Sequence, residues 1–305
     1  AAHAHWAALA KPLGGLGRLE AMVEDAAALT GDPVPDVSRR AVLVLCADNG
    51  VVAQGVSQTD ASVTRAVLEN LTARRTSVCR MAAAAHCDVV PVDMGIAGAP
   101  VPGAADCRIA AGTADFTTGP AMTRAQAVQA IAAGIALVRT QKQSGAQLLA
   151  TGEMGIGNTT TSSAVLCALS GEPVEAVTGR GGGLTDAAFL KKKQVIEQAL
   201  AINTPDGNDP VDVLHKVGGL DLCAMAGVFL GAAHERLPVV VDGFISVVAA
   251  LCAARLCEAA KGFFIGSHVS YERGYEIAAR LLGLRPCLQL GMRLGEGSGC
   301  PLAFR

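Results

Sequence analysis

The chain reads as an α/β protein built on an open, doubly wound, mostly parallel sheet. Three observations predict this. Short apolar runs rich in β-branched residues alternate with longer helical stretches over most of the 305 residues. The apolar runs are continuous rather than alternating, as expected of strands covered on both faces. Their exits pair a small residue with a polar one, and in open α/β sheets ligands bind at such strand ends.

The first predicted strand is Ala41–Ala47 (AVLVLCA), which runs into Asp48-Asn49-Gly50. A helical pattern covers Ala61–Ala85, and strand Asp88–Val92 then runs into Asp93-Met94-Gly95. Helix Arg124–Gln143 leads to strand Gln147–Thr151, which exits through Gly152-Glu153-Met154-Gly155 into helix Thr160–Leu169. Asn158 or Thr159 is placed to cap that helix. Helices Asp186–Ile202 and Leu220–His234 precede strand Pro238–Val241, which ends at Asp242-Gly243. Helix Ser246–Ala260, strand Gly262–Ile265 with its exit Gly266-Ser267-His268, helix Ser270–Leu282 and a candidate strand Cys287–Leu290 complete the pattern. One Asp-Gly is only a turn signal. Repeated at successive exits, such pairs predict a polar crevice along one sheet edge. Residues 1–35 and 291–305 fall outside the alternation and read as a smaller cap or a dimer arm, leaving 36–290 as the main domain.

Composition narrows the function. Apolar residues make up 51% and charged residues 17%, which excludes a mainly disordered chain. A net charge of −2 provides no field to gather nucleic acid, and 3% aromatics argues against base stacking. The most apolar stretch, Pro238–Cys257, is interrupted by Asp242 and Arg255, short of the roughly 20 residues that span a bilayer. The first 20 residues lack the pattern of a secretory signal, so the cytoplasm is the expected compartment. The ten cysteines form no CxxC pair and mostly sit in apolar surroundings, which predicts reduced, buried thiols and no zinc site.

Four stretches carry candidate chemistry. In 151-TGEMGIGNTTTSS-163, close glycines precede a helix, so the turn either binds an anion through free amides or is simply a tight, well-capped βα turn. It matches neither GxxxxGK[ST] nor GxGxxG. In 179-GRGGGLTDAAFLKKKQ-194, a glycine run precedes Lys191, Lys192 and Lys193, which are phosphate ligands or a solvated basic face. The tail 290-LGMRLGEGSGC-300 holds Glu296 between glycines, either solvated or raised in pKa as a general base. In 264-FIGSHVSYE-272, Ser270 caps a helix or binds an anion, and His268 is structural or catalytic. A dinucleotide-dependent oxidoreductase would need GxGxxG after the first strand, where ADNGVVAQG stands instead.

Taken together and in order, KPLGGLGRLE (Lys11–Glu20), ADNGVVAQGVS (Ala47–Ser57), GEMGIGNTT (Gly152–Thr160), GRGGGL (Gly179–Leu184), DGFI (Asp242–Ile245), GSHVSYE (Gly266–Glu272) and RLGEGSG (Arg293–Gly299) span nearly the whole chain. They resemble the nicotinate-nucleotide–dimethylbenzimidazole phosphoribosyltransferases of cobalamin lower-ligand assembly. The resemblance implies a Rossmann-like large domain with a small helical domain from both chain ends, in a homodimer. It also implies a pentosyltransferase that moves ribose 5-phosphate from nicotinate mononucleotide to a benzimidazole nitrogen, with inversion at C1′ and with neither metal nor cofactor. By motif, Glu296 is implied as general base, and Glu153 as a second carboxylate and substitute base. Gly155, Gly157, Asn158, Gly181, Gly182, Gly183, Lys192 and Ser270 are implied around the nucleotide and its phosphate, and Ser57, Arg65, Met154 and Leu294 around the aromatic base. The chain departs from the family pattern at Asn49, at Gln58-Thr59-Asp60, at Arg65 and at Arg74-Arg75-Thr76-Ser77. Those departures cluster on the acceptor side, so adenine or a phenolic ring stands beside dimethylbenzimidazole as acceptor. A partner-dependent, non-catalytic nucleotide-binding paralogue is the alternative from another class.

Overall fold

The computed structural model describes residues 1–304. Two helices, α1 (Ala2–Ala8) and α2 (Arg18–Thr30), precede the first strand, β1 (Arg40–Ala47). Only Arg40 of β1 escapes full burial, because both faces of this apolar strand are covered. Next come α3 (Ser62–Thr72), α4 (Ser77–Ala84), β2 (Cys87–Gly95) and the two-residue β3 (Ala105–Asp106). Helix α5 (Arg124–Gln143) opens with a capping box between Thr123 and Gln126 and leads to β4 (Leu148–Met154). Five helices separate β4 from the next strand, and the first four are α6 (Asn158–Ser170), α7 (Val174–Val177), α8 (Asp186–Asn203) and α9 (Pro210–Val217). Then α10 (Leu220–Glu235), β5 (Val239–Val241), α11 (Phe244–Leu256), β6 (Phe264–His268), α12 (Tyr275–Leu282), β7 (Pro286–Leu288) and α13 (Cys300–Ala303) complete the chain.

The sheet has seven strands in the order β3-β2-β1-β4-β5-β6-β7, and every pairing is parallel. The chain winds outward from β1 to β3, then returns to β4 on the other side of β1. The β1/β4 boundary is therefore the topological switch point, where such sheets leave room for a ligand. Alternate β1 residues feed two cores. Leu43 and Leu45 join the larger one with residues of α5, α6 and α10, while Val42 and Val44 meet Leu68, Leu71, Val78 and Phe304 on the other face. No helix among the described residues is long and apolar enough to cross a membrane. The cysteines are all free thiols.

Glycines set the approach of the two long helices behind the sheet. A Cβ on Gly134 of α5 would fall 2.0 Å from the Ala224 carbonyl oxygen, and one on Gly227 of α10 2.0 Å from that of Ile131. Backbone cannot yield as a flexible side chain would, so Gly227→Ala must push the helices apart. The expected cost is about 1–3 kcal/mol, read as a lower denaturant midpoint; an unchanged midpoint would show that the crossing relaxes freely.

Several predicted elements differ in the structure. The helix expected over Ala61–Ala85 is two helices, because Arg74 takes a left-handed conformation (φ 60°) and donates from its guanidinium to the Val89 carbonyl. The helix expected from Ser270 begins at Tyr275; before it, Val269 and Tyr271 donate backbone N–H groups to Leu288 and Met292 and so extend the sheet edge. Gly262 lies in a 3-10 turn, Glu258–Phe263, and not in a strand. That turn also ends the helix expected over Ser246–Ala260 early, at Leu256. Neither Asn158 nor Thr159 caps α6: Gly157, at φ 90°, holds the N-cap position and frees both side chains for other work.

Candidate active site

A cavity of about 310 Å³ opens beside the switch point. Its floor comes from the carboxyl ends of β4, β5 and β6, and one wall from the loop Val56–Thr59 that follows β1. The exits of β1 and β2 do not line it. Asp48 instead accepts the Ala97 N–H at 2.9 Å, and Asp93 those of Gly95 and Ile96 at 3.0 and 2.9 Å. The crevice predicted from the repeated exits is thus narrower than expected, because two of the acids are consumed in shaping turns.

Strand β4 delivers Glu153 to the cavity, and the tail folds back over it. A Cβ on Gly152 would lie 2.5 Å from the Glu296 carbonyl oxygen, and one on Gly295 2.4 Å from Glu153 Oε1, so the two glycines let these acidic segments pack together. Gly295, Glu296 and Gly297 all have positive φ (81°, 60° and 78°). A left-handed non-glycine residue is strained, and here the strain aims Glu296 at the cavity. Glu296 Oε2 is buried without a hydrogen-bond partner, and burial raises this carboxyl above its usual range against a hydrogen bond from the backbone of Val78.

Behind Glu153 sits a chain of buried acids. Asn158 Nδ2 donates to Glu153 Oε2 and, at 3.2 Å, to Asp221 Oδ2. Burial, reinforced by Asp221, pushes Glu153 up to about 8. Burial also lifts Asp221 to about 6 and Asp242 to about 7, the latter against the Gly299 N–H it accepts at 2.8 Å. His268 Nδ1 lies 3.0 Å from Ser267 Oγ, and burial lowers its pKa, favouring the neutral imidazole.

These raised carboxyl pKa values make stability depend on pH. The folded protein holds protons that the unfolded chain has already released. The Glu153 contribution is full below its unfolded value of 4.5 and is lost as pH rises towards about 8. The unliganded protein should melt at a lower temperature near pH 8 than near pH 5.5, and Glu153→Gln should flatten that slope in a thermal-shift series. A slope identical to wild type would mean that Glu153 does not carry the buried charge.

In the same cavity, the loop Gly179–Leu184 faces the start of α6. Lys192 is fully buried, with Nζ donating to Thr159 Oγ1 at 2.9 Å and to the Gly179 carbonyl at 3.1 Å; burial lowers it to about 8. Ser270 lies 3.6 Å from where a Cβ on Gly243, the residue preceding α11, would be. Across the mouth, Gln58 Nε2 donates to the Gly183 carbonyl at 2.5 Å.

The cavity brings together Glu153, Met154, Gly155, Gly157, Asn158, Gly181, Gly182, Ser270, Ser57, Leu294 and Glu296. Lys192 and Gly183 stand just behind its lining. Arg65 is turned away, held by Glu69 at 3.1 Å and by the Ala99 carbonyl at 2.8 Å. Among residues that sequence reasoning left without a role, Asp221 and Asp242 join the acidic chain. Asp242 was visible as a strand exit, whereas Asp221 was hidden in the apolar first turn of α10.

The family model described as Phosphoribosyltransferase matches residues 1–305. A protein of Acetivibrio thermocellus named nicotinate-nucleotide–dimethylbenzimidazole phosphoribosyltransferase is 45% identical over 297 residues, covering 97% of this chain and 85% of its own. One of the same name from Roseiflexus sp. (strain RS-1) is 47% identical over 306 residues, covering 100% and 87%. The crystal structure of CobT from Thermus thermophilus matches with a TM-score of 0.95 at 40% identity, over 99% of this chain and 91% of that one.

Proposed function

The chain belongs to the nicotinate-nucleotide–dimethylbenzimidazole phosphoribosyltransferase family, and on that premise we propose that its crevice joins nicotinate mononucleotide to an aromatic nitrogen base. The observation that carries the proposal is the gathering around one cavity of Glu296, with one carboxylate oxygen left without a partner, and of the buried Lys192 behind the glycine loop that lines it.

The chemistry needs little more. Nicotinate leaves through a ring nitrogen that is already cationic, so its departure requires no proton. The C1′–N bond to nicotinate breaks, and a new C1′–N bond forms to the acceptor from the opposite face, which inverts the centre. The acceptor ring then carries a positive charge until its N–H proton passes to Glu296. A raised pKa brings that carboxylate nearer the working pH, where a general base is most effective. Lys192, the Gly181 and Gly182 loop and Ser270 hold the phosphate, while Ser57, Met154 and Leu294 wall the acceptor ring. Holding both substrates in line converts an encounter into an oriented, effectively unimolecular step.

Incubation with nicotinate mononucleotide and dimethylbenzimidazole, adenine or p-cresol, followed by mass spectrometry, tests the proposal. A ribosylated ring with released nicotinate is expected. Nucleotide binding without turnover on any ring would replace this reading with a partner-dependent paralogue. A cytoplasmic homodimer completes the proposal. The exposed Leu13, Leu16 and Leu19 of the N-terminal segment support self-association, which light scattering reads directly.

A further inference from the structure

We infer that Glu272 is the resident counter-anion of the phosphate end of the crevice, and that an entering phosphate takes over its partners while Glu272 takes up a proton. The inference rests on the phosphate reading of Lys192 above.

Lys192 Nζ touches only neutral oxygens, those of Thr159 and Gly179. An ammonium has three donors, so one N–H is left over. A buried cation without a nearby anion is costly, and Glu272 answers that need. Glu272 is 9% exposed, lines the cavity, and has its Oε2 buried without a hydrogen-bond partner. It presses against the glycine loop so closely that a Cβ on Gly179 would lie 1.9 Å from that oxygen. The backbone of Gly181 hydrogen-bonds the same carboxyl, and a Cβ on Gly181 would lie 3.6 Å from Lys192 Nζ. Glu272 therefore meets a glycine-loop amide directly and feels the charge of a buried lysine, the two donors that a phosphate would use.

The other charges nearby are accounted for. Arg293, from the tail, and Lys192, from α8, favour the ionised carboxylate, while burial opposes it more strongly. Arg180 of the glycine loop is committed to the Leu184 carbonyl and to Asp186. Arg273, the next residue, donates to the Glu175 carbonyl. Asp242 and the buried His268 share the same cavity from β5 and β6. In the free protein, Lys192 and Glu272 balance each other. A phosphate dianion beside Lys192 adds a like charge next to Glu272, and the carboxylate is the group able to neutralise itself. One phosphate binds and one proton enters from solvent at the Glu272 carboxyl, which then donates an O–H to the phosphate. No other bond changes.

Calorimetric titration of the whole protein with inorganic phosphate, near pH 8 in two buffers of different ionisation enthalpy, reads the proton directly. Wild type should take up about one proton more per phosphate than Glu272→Gln, because the buried Lys192, at about 8, adds its own share to both. Glu272→Gln keeps the hydrogen bond from Gly181 without the charge and should bind phosphate roughly tenfold tighter. No uptake by wild type, or equal uptake by the variant, would overturn the inference. A parallel titration compares nicotinate mononucleotide with nicotinate riboside. Equal affinity for the two would instead overturn the phosphate reading of Lys192. A phosphate preference without proton uptake would remove the role of Glu272 alone.

Discussion

Glu296→Gln should lower kcat by roughly 10²–10⁴-fold, the range for losing a general base, while the KM for the nucleotide stays near wild type. Glutamine keeps the volume of the side chain and its hydrogen bond from the Val78 backbone, but it cannot accept the acceptor-ring proton. The strained loop Gly295–Gly297 keeps its shape, so the loss is chemical and not structural. The residual rate carries a second signature. Glu153 is the proposed substitute base, yet at neutral pH it is largely protonated, because burial and Asp221 raise it to about 8. Turnover by the Glu296→Gln variant should therefore climb as pH rises through about 8. Adding Glu153→Gln should abolish that climb. Stopped assays across pH separate the cases. A variant within a few-fold of wild type would remove Glu296 from base duty. A residual rate that ignores pH would remove Glu153 as its substitute.

The sheet was legible in the sequence because its central strands are apolar on both faces. Ala41–Ala47 and Gln147–Thr151 fall close to the observed β1 and β4. The two-residue β3 was not legible, since Ala105–Asp106 carries no apolar run and pairs only because Val92 and Asp93 present a free edge. Helix α9, absent from the predicted elements, does carry a sequence signal: Asp209 caps it by accepting from Val211 and Asp212, with Pro210 at the first helical position. The break after α3 had none, because Arg74, and not glycine or proline, makes it. The site divides in the same way. Glu153, Glu296, Lys192 and the glycine loops stand in unbroken motifs, so their gathering around one cavity could be expected residue by residue. The acidic chain could not, because Asp221 approaches Glu153 only through the side chain of Asn158, 63 positions away in sequence. Arg65 shows the converse: a residue expected at the cavity is drawn off by Glu69, one helical turn along α3.

Lys192→Met should reduce kcat/KM for the nucleotide by roughly 10²–10³-fold, the scale for truncating one partner of a desolvated charge pair. The loss should appear chiefly in the nucleotide KM, with the acceptor KM unchanged, because in the proposed arrangement Lys192 meets the phosphate and not the acceptor ring. Methionine is chosen over alanine because Lys192 is completely buried on α8, and alanine would add a cavity to the loss of charge. The stability penalty should be small. Methionine fills the volume, and Glu272, left without its cation, escapes a buried charge by taking a proton. The thermal midpoint of the variant and its nucleotide KM should therefore diverge, one nearly constant and the other much higher. Parallel losses would mean that Lys192 acts through folding. An unchanged nucleotide KM in a folded variant would mean that the phosphate lies elsewhere.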